Sequence, residues 1–151
     1  DGFATALDPT TGKELGPSGF SARLSSLDGK DDAIHSVCIP NDDEDVRYAY
    51  VSGTTMGVLD QDATAPGSVD GTIRQAFLAK LDLDAMDFVW KRQIGAAAGP
   101  GEGRDVYGNG CAVSDDGSRV YLGGTVKDGG SLDHPTLGGT RSSGGGAVFP
   151  V

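Results

Sequence analysis

The feature that most constrains this 151-residue sequence is that it states one pattern twice. Phe3-Ala4-Thr5-Ala6-Leu7-Asp8 recurs as Phe77-Leu78-Ala79-Lys80-Leu81-Asp82, 74 positions later. Asp32 with Val37-Cys38 recurs as Asp105 with Gly110-Cys111 at a spacing of 73. Tyr50-Val51-Ser52-Gly53-Thr54 recurs as Tyr121-Leu122-Gly123-Gly124-Thr125 at a spacing of 71. Self-similarity at a fixed period is the mark of a duplicated supersecondary unit whose copies bury one another's apolar faces. The small drift in spacing is what changes in loop length leave behind. Ala147-Val148-Phe149 starts a third copy.

Inside each copy the pattern is β. Residues 76–82 and 88–94 are short runs of Phe, Leu, Val and Trp on either side of the turn-like Leu83-Asp84-Ala85-Met86-Asp87. Residues 110–114 and 119–123 flank Asp115-Asp116-Gly117-Ser118, where Asp and Gly tolerate the positive φ of a tight turn. The first copy predicts strands at 3–8, 20–24, 33–39 and 48–52, with a turn at Pro9-Thr10-Thr11-Gly12. No stretch has a convincing helical period. Gly supplies 25 residues, and they fall between the β runs, which suits a turn-dense all-β chain.

The expected organisation is therefore a first unit over 1–54, a connecting loop over 55–75, a second unit over 76–126, and a second loop with the start of a third unit over 127–151. Four short antiparallel strands in about 50 residues is the size of one propeller blade. The expected fold is all-β, two four-stranded antiparallel propeller-type blades with long Gly-rich loops leaving the sheets. Phe3, Leu7, Val37, Val51, Phe77, Leu81, Val89, Val113 and Val120 are the expected core.

Two stretches carry a resemblance. The second unit resembles the bacterial β-propeller repeats called SBBP repeats, on Ala76-Phe77-Leu78-Ala79-Lys80-Leu81, Gly108-Asn109-Gly110-Cys111-Ala112-Val113 and Gly117 with Val120-Tyr121-Leu122-Gly123-Gly124-Thr125. Ala6-Leu7-Asp8-Pro9-Thr10-Thr11-Gly12-Lys13-Glu14-Leu15 is similar to the strand–turn–strand of quinoprotein-like blades, although Gly16 stands where that pattern has Trp; Val89-Trp90-Lys91 fits it better. The resemblance implies a propeller-type fold and an extracellular or surface-associated protein, and it transfers no catalytic residue. A closed propeller needs roughly four or more blades. Further blades, face-to-face packing of the two sheets, or other chains would each complete the structure.

Charge narrows the partners. A net charge of −10 without a basic stripe disfavours nucleic acid and anionic membrane surfaces. No apolar run reaches the ~20 residues of a membrane-spanning helix. Asp1 in place of Met marks the sequence as a processed product or a piece of a longer protein.

Few residues offer chemistry. Asp60, Asp62 and Asp70 are candidate calcium ligands on one loop, without the Gly and terminal Glu of an EF-hand. Asn41-Asp42-Asp43-Glu44-Asp45 is expected to be a solvated turn, and Asp32 and Asp105 to bond loop amides. Cys38 and Cys111 occupy matching positions, and the expectation is two small buried residues. A bridge between them is disfavoured, because equivalent positions of neighbouring blades lie farther apart than a disulfide's ~4.4–6.8 Å Cα separation. His35 is expected to face solvent or a hydrogen bond, and His134 to lie in an exposed loop. No nucleophile elbow, His-Glu-x-x-His or phosphate cradle is present; Gly-rich 99–103 precedes no helix. Loops 64–68 and 136–143 have the Thr/Ser/Pro composition of O-glycosylated segments.

The expectation for function is a non-catalytic structural or interaction module of a secreted or surface protein. Its contacts, with protein partners or further copies, would be made by strand edges and loops. The alternatives are a carbohydrate- or calcium-binding module, using loop carboxylates and aromatics such as Tyr107 and Trp90, and a blade segment of a quinoprotein-like enzyme.

Overall fold

The computed structural model describes residues 1–15, 21–41, 47–59, 72–97, 104–127, 131–133 and 147–150. All eight strands expected in the two units form: β1 (Gly2–Thr5), β2 (Ser21–Leu24), β3 (Asp32–Cys38), β4 (Tyr48–Thr55), β5 (Gln75–Asp82), β6 (Asp87–Ala97), β7 (Val106–Val113) and β8 (Arg119–Val126). Two short strands follow, β9 (Ser131–Asp133) and β10 (Ala147–Pro150). Every strand pairing is antiparallel.

The strands do not group as two four-stranded blades. They form three sheets: β1–β2, then β3–β4–β5–β6 with β9 added beyond β6, and β7–β8 with β10 added beyond β8. The four-stranded sheet straddles the two sequence units, because β4 and β5 share an unbroken ladder from Tyr48↔Asp82 to Thr55↔Gln75. A period fixes spacing but not the point at which a unit starts. β5 settles the point. Its run Gln75–Asp82 is buried on both faces except at Lys80, so it needs a strand on each side and a sheet above and below. Part of the expected second loop also returns to a sheet: β9 pairs with β6 through Gly95↔Asp133, Ala96↔Leu132 and Ala97↔Ser131.

The three sheets stack as layers. One face of the central sheet presents Tyr50, Ala76, Leu78 and Ile94 to Val106, Val120 and Leu122 of β7–β8. The other face presents Val51, Phe77 and Ala79 to Leu24 and Ala4 of β1–β2. Successive β5 side chains thus feed two different cores, as a strand's alternation requires. Burying Phe77 fully is worth about 2–3 kcal/mol. Gln93 ties the segment after β4 to the central sheet, accepting from Leu59 N (2.8 Å) and donating to Gly57 O (2.7 Å).

Four expected core residues lie outside. Val51, Phe77, Leu81 and Val120 are buried and Val113 packs at a core margin, but Phe3, Leu7, Val37 and Val89 are exposed. Phe3 and Leu7 point away from the central sheet. Val37 sits on β3, the outermost strand of that sheet. Val89 is the extra residue of a bulge, skipped between Lys80↔Trp90 and Leu81↔Phe88.

The two cysteines overturn their expectation: Cys38 and Cys111 form a disulfide, with Cα atoms 5.8 Å apart. The expectation placed the units side by side, whereas β3 and β7 belong to facing layers. Stacked sheets ordinarily lie ~10 Å apart, so these layers converge along the β3–β7 side. Glycine permits the approach: a Cβ on Gly108 would stand 2.5 Å from Gly53 O.

Candidate functional site

Converging layers leave a crevice at their edge. It holds about 230 Å³ and is lined by Asp32, His35, Thr54, Arg74 and Tyr107, among others. His35 reaches it because it is the bulged residue of β3, skipped between Ile34↔Gly53 and Ser36↔Ser52. Its Nδ1 lies 2.9 Å from Gly108 O across the layer junction, and its Nε2 lies 3.5 Å from Thr54 Oγ1. With Nδ1 donating to a carbonyl, Nε2 is left to accept from the Thr54 hydroxyl. One ring nitrogen therefore bonds across the layer junction and the other across strands within the central sheet, the hydrogen-bonding role expected of His35.

The acidic residues around the crevice hold chain segments together. Asp32 Oδ2 accepts from Ser26 N at 2.7 Å, and Asp105 Oδ1 from Arg74 N at 2.9 Å, the loop-amide role expected of both. Asp105 Oδ2 takes the Tyr107 hydroxyl at 3.1 Å and faces the Arg74 guanidinium at 4.0 Å. Asp32 Oδ1 is buried with no hydrogen-bond partner.

Elsewhere carboxylates cap turns. Asp8 Oδ1 accepts from the amides of Thr10 and Thr11, and Asp82 Oδ1 from those of Asp84 and Ala85. The Thr11 amide holds the Asp8 carboxyl below its ordinary value, and the Ala85 amide, with Arg47 in support, does the same for Asp82. Asp116 is lowered to about 2, chiefly by the Ser114 hydroxyl and then by Ser118. These groups accept hydrogen bonds in folded turns and are committed to structure.

The calcium candidates Asp60, Asp62 and Asp70 lie outside the described residues, as do His134, Gly-rich 99–103, most of the acidic 41–45 turn, and loops 64–68 and 136–143. No group of three or more His, Cys, Asp or Glu able to hold a metal occurs among the described residues. No helix there is long and apolar enough to cross a membrane. Trp90 is partly buried 6.0 Å from Tyr50 in the core between layers, and Tyr107 lines the crevice; the structure does not bring them together as one aromatic platform. Sequence reasoning missed Thr54 and Arg74 in the crevice, since nothing local marks them. No family model matches the chain, and neither does any curated protein or solved structure.

Proposed function

We propose that this chain is a non-catalytic structural and interaction module of a secreted or surface protein, joining a larger assembly through its sheet surfaces, strand edges and loops. The observation that carries the proposal is apolar surface left uncovered on ordered strands. Phe3 is 71% exposed, Val89 55% and Val37 51%. Apolar side chains left open on paired strands, on β1, β3 and β6, offer surface for contacts with other strands or chains. Sheets stacked face to face with converging edges also suit a propeller-type arrangement of consecutive blades. The Cys38–Cys111 disulfide is consistent with an oxidising compartment, which supports the extracellular placement.

Sedimentation velocity over a concentration series tests the proposal. Discrete species larger than one chain are expected. A single monomeric boundary at every concentration contradicts self-assembly of this chain.

A second reading, a carbohydrate- or calcium-binding module, draws on Asp32, a crevice-lining residue whose Oδ1 has no hydrogen-bond partner. A rise in thermal stability with calcium, reversed by chelator, or with glycans supports it. Indifference to both contradicts it.

A further inference from the structure

We infer that Asn109 is a site of spontaneous backbone modification. The nitrogen of Gly110 attacks the Asn109 side-chain amide, and the strand is left with an aspartyl or isoaspartyl residue at the layer junction.

The reaction needs an asparagine amide, an unhindered nitrogen on the next residue, and a backbone free to bring the two together. Glycine hinders least, because it has no Cβ and the widest choice of φ and ψ. The sequence holds two asparagines, and of these Asn109 is the one followed by glycine. Asn41 is followed by Asp42, a residue with a Cβ beside the attacking nitrogen. A regular ladder would hold the Asn109 backbone extended and keep amide and nitrogen apart, but the strand is irregular there. Asn109 is the extra residue of the β7 bulge, skipped between Gly108↔Gly124 and Gly110↔Gly123, so no ladder pair fixes it. Among the described residues β7 is paired along one flank, with β8. Asn109 is exposed, and a Cβ on Gly110 would meet nothing within 4 Å. The side chain makes one hydrogen bond, from Nδ2 to Thr125 Oγ1 at 3.0 Å, and Thr125 is itself exposed.

The Gly110 nitrogen gives up its proton and bonds to Asn109 Cγ. The Cγ–Nδ2 bond breaks, and Nδ2 leaves as ammonia. Water then opens the cyclic imide. Attack at Cγ restores the main chain with an aspartyl residue; attack at the backbone carbonyl leaves the chain running through Cγ as isoaspartate. Ammonia is lost and water gained, with no oxidant or reductant. The neighbouring Asp116-Gly117 pair is held back from the same chemistry. Asp116 Oδ1 accepts from the Ser114 and Ser118 hydroxyls and from Ser118 N, which hold the carboxyl ionised, and a carboxylate resists attack.

The modified bond lies between two ties that hold β7 to β3. On one side the Gly108 carbonyl takes His35 Nδ1 at 2.9 Å, and on the other Cys111 is joined to Cys38. Isoaspartate lengthens the main chain by one carbon between those points. The disulfide is covalent, so the displacement falls on the His35–Gly108 bond. An aspartyl residue leaves the main chain as it was, and its carboxylate accepts from the Thr125 hydroxyl in place of the donated bond. The products carry the same charge and differ in what they do to the junction. The equivalent bulge of β3, His35-Ser36, has neither the amide nor the glycine, so the change is confined to one layer.

Peptide mapping by mass spectrometry tests this on the oxidised chain, held folded in mildly alkaline buffer and sampled over weeks. The peptide spanning Asn109 and Gly110 is expected to gain the mass that replaces NH2 by OH. It is also expected to become a substrate for an isoaspartyl carboxyl methyltransferase. Gly110→Ala, for which there is room, and Asn109→Gln, which moves the amide one methylene away, are each expected to lose most of that gain. Far-ultraviolet circular dichroism checks that both variants fold. A sample unfolded in urea gives the rate without the fold. A gain confined to the unfolded sample means that the strand protects Asn109, and it overturns the site. A gain undiminished in Gly110→Ala overturns attack by the Gly110 nitrogen. Amide exchange separates the products: the isoaspartyl chain is expected to exchange faster in β7 than Asn109→Asp, and equal exchange overturns the effect on the junction.

Discussion

β1 and β5 are the same strand written twice, and they meet opposite fates. Each carries Phe at the same position, each pairs with the strand that follows, and each runs toward a turn capped by an aspartate. Yet Phe77 is wholly buried and Phe3 is 71% exposed. Sequence alone does not bury a side chain; the sheet beside it and the sheet beneath it do. β5 has β4 and β6 on its flanks and a layer on each face, whereas β1 has β2 and one layer. The pair therefore separates what a repeat encodes, strand and turn, from what only stacking supplies.

The comparison is broken most forcefully at the two phenylalanines. Phe77→Ala is expected to cost about 3–5 kcal/mol in urea unfolding, through lost burial and a cavity between layers. Phe3→Ala is expected to change the monomer by no more than about 0.5 kcal/mol. Equal costs would mean that β1 is covered in the monomer.

The disulfide comes next. It closes a sequence separation of 73 residues across the junction of β3 and β7. Replacing both cysteines by serine is expected to lower stability by about 4 kcal/mol on the loop-entropy account. The β1–β2 junction has no such link, so reduction is expected to raise amide exchange in β7–β8 more than in β1–β2.

The turns give a smaller contrast. Gly12 and Met86 occupy the same turn position, both at positive φ, 67° and 51°. Met pays a steric cost there that Gly does not. Met86→Gly is expected to stabilise by up to about 1 kcal/mol, less the packing its side chain gives up, and Gly12→Ala to destabilise by about 1 kcal/mol. Thermal denaturation reads both.

Acid sensitivity is the mildest effect. Asp116 is lowered from 3.8 to about 2, and Asp8 and Asp82 are lowered as well. A carboxylate whose value is lowered by folding contributes stability that is present above its unfolded value. That contribution is lost as pH falls through the folded value. Stability is thus expected to decline from about pH 4 toward pH 2, and Asp116→Asn to flatten the lower part of that decline. A titration of unfolding midpoints checks it.

Much of the fold was legible. Alternation and turn residues marked all eight strands of the two units, because each is a short apolar run bounded by Gly, Pro or Asp. The phase of the sheets was not read. The signal for it was present in Ala76-Phe77-Leu78-Ala79, an unbroken apolar run that only a strand covered on both faces can hold. The disulfide was missed because the relation between units, facing rather than side by side, is a property of stacking. The crevice was half legible: Asp32 and Asp105 stand out before strands, but the bulge that aims His35 depends on the ladder with β4, and Thr54 and Arg74 enter only through that fold.

Amide hydrogen exchange followed across protein concentration bears most directly on the difference between β1 and β5. Protection of β5 is expected to be high and independent of concentration, while β1 gains protection as concentration rises. Protection of β1 that stays low and unchanged while the chain associates would contradict assembly through its strand edges.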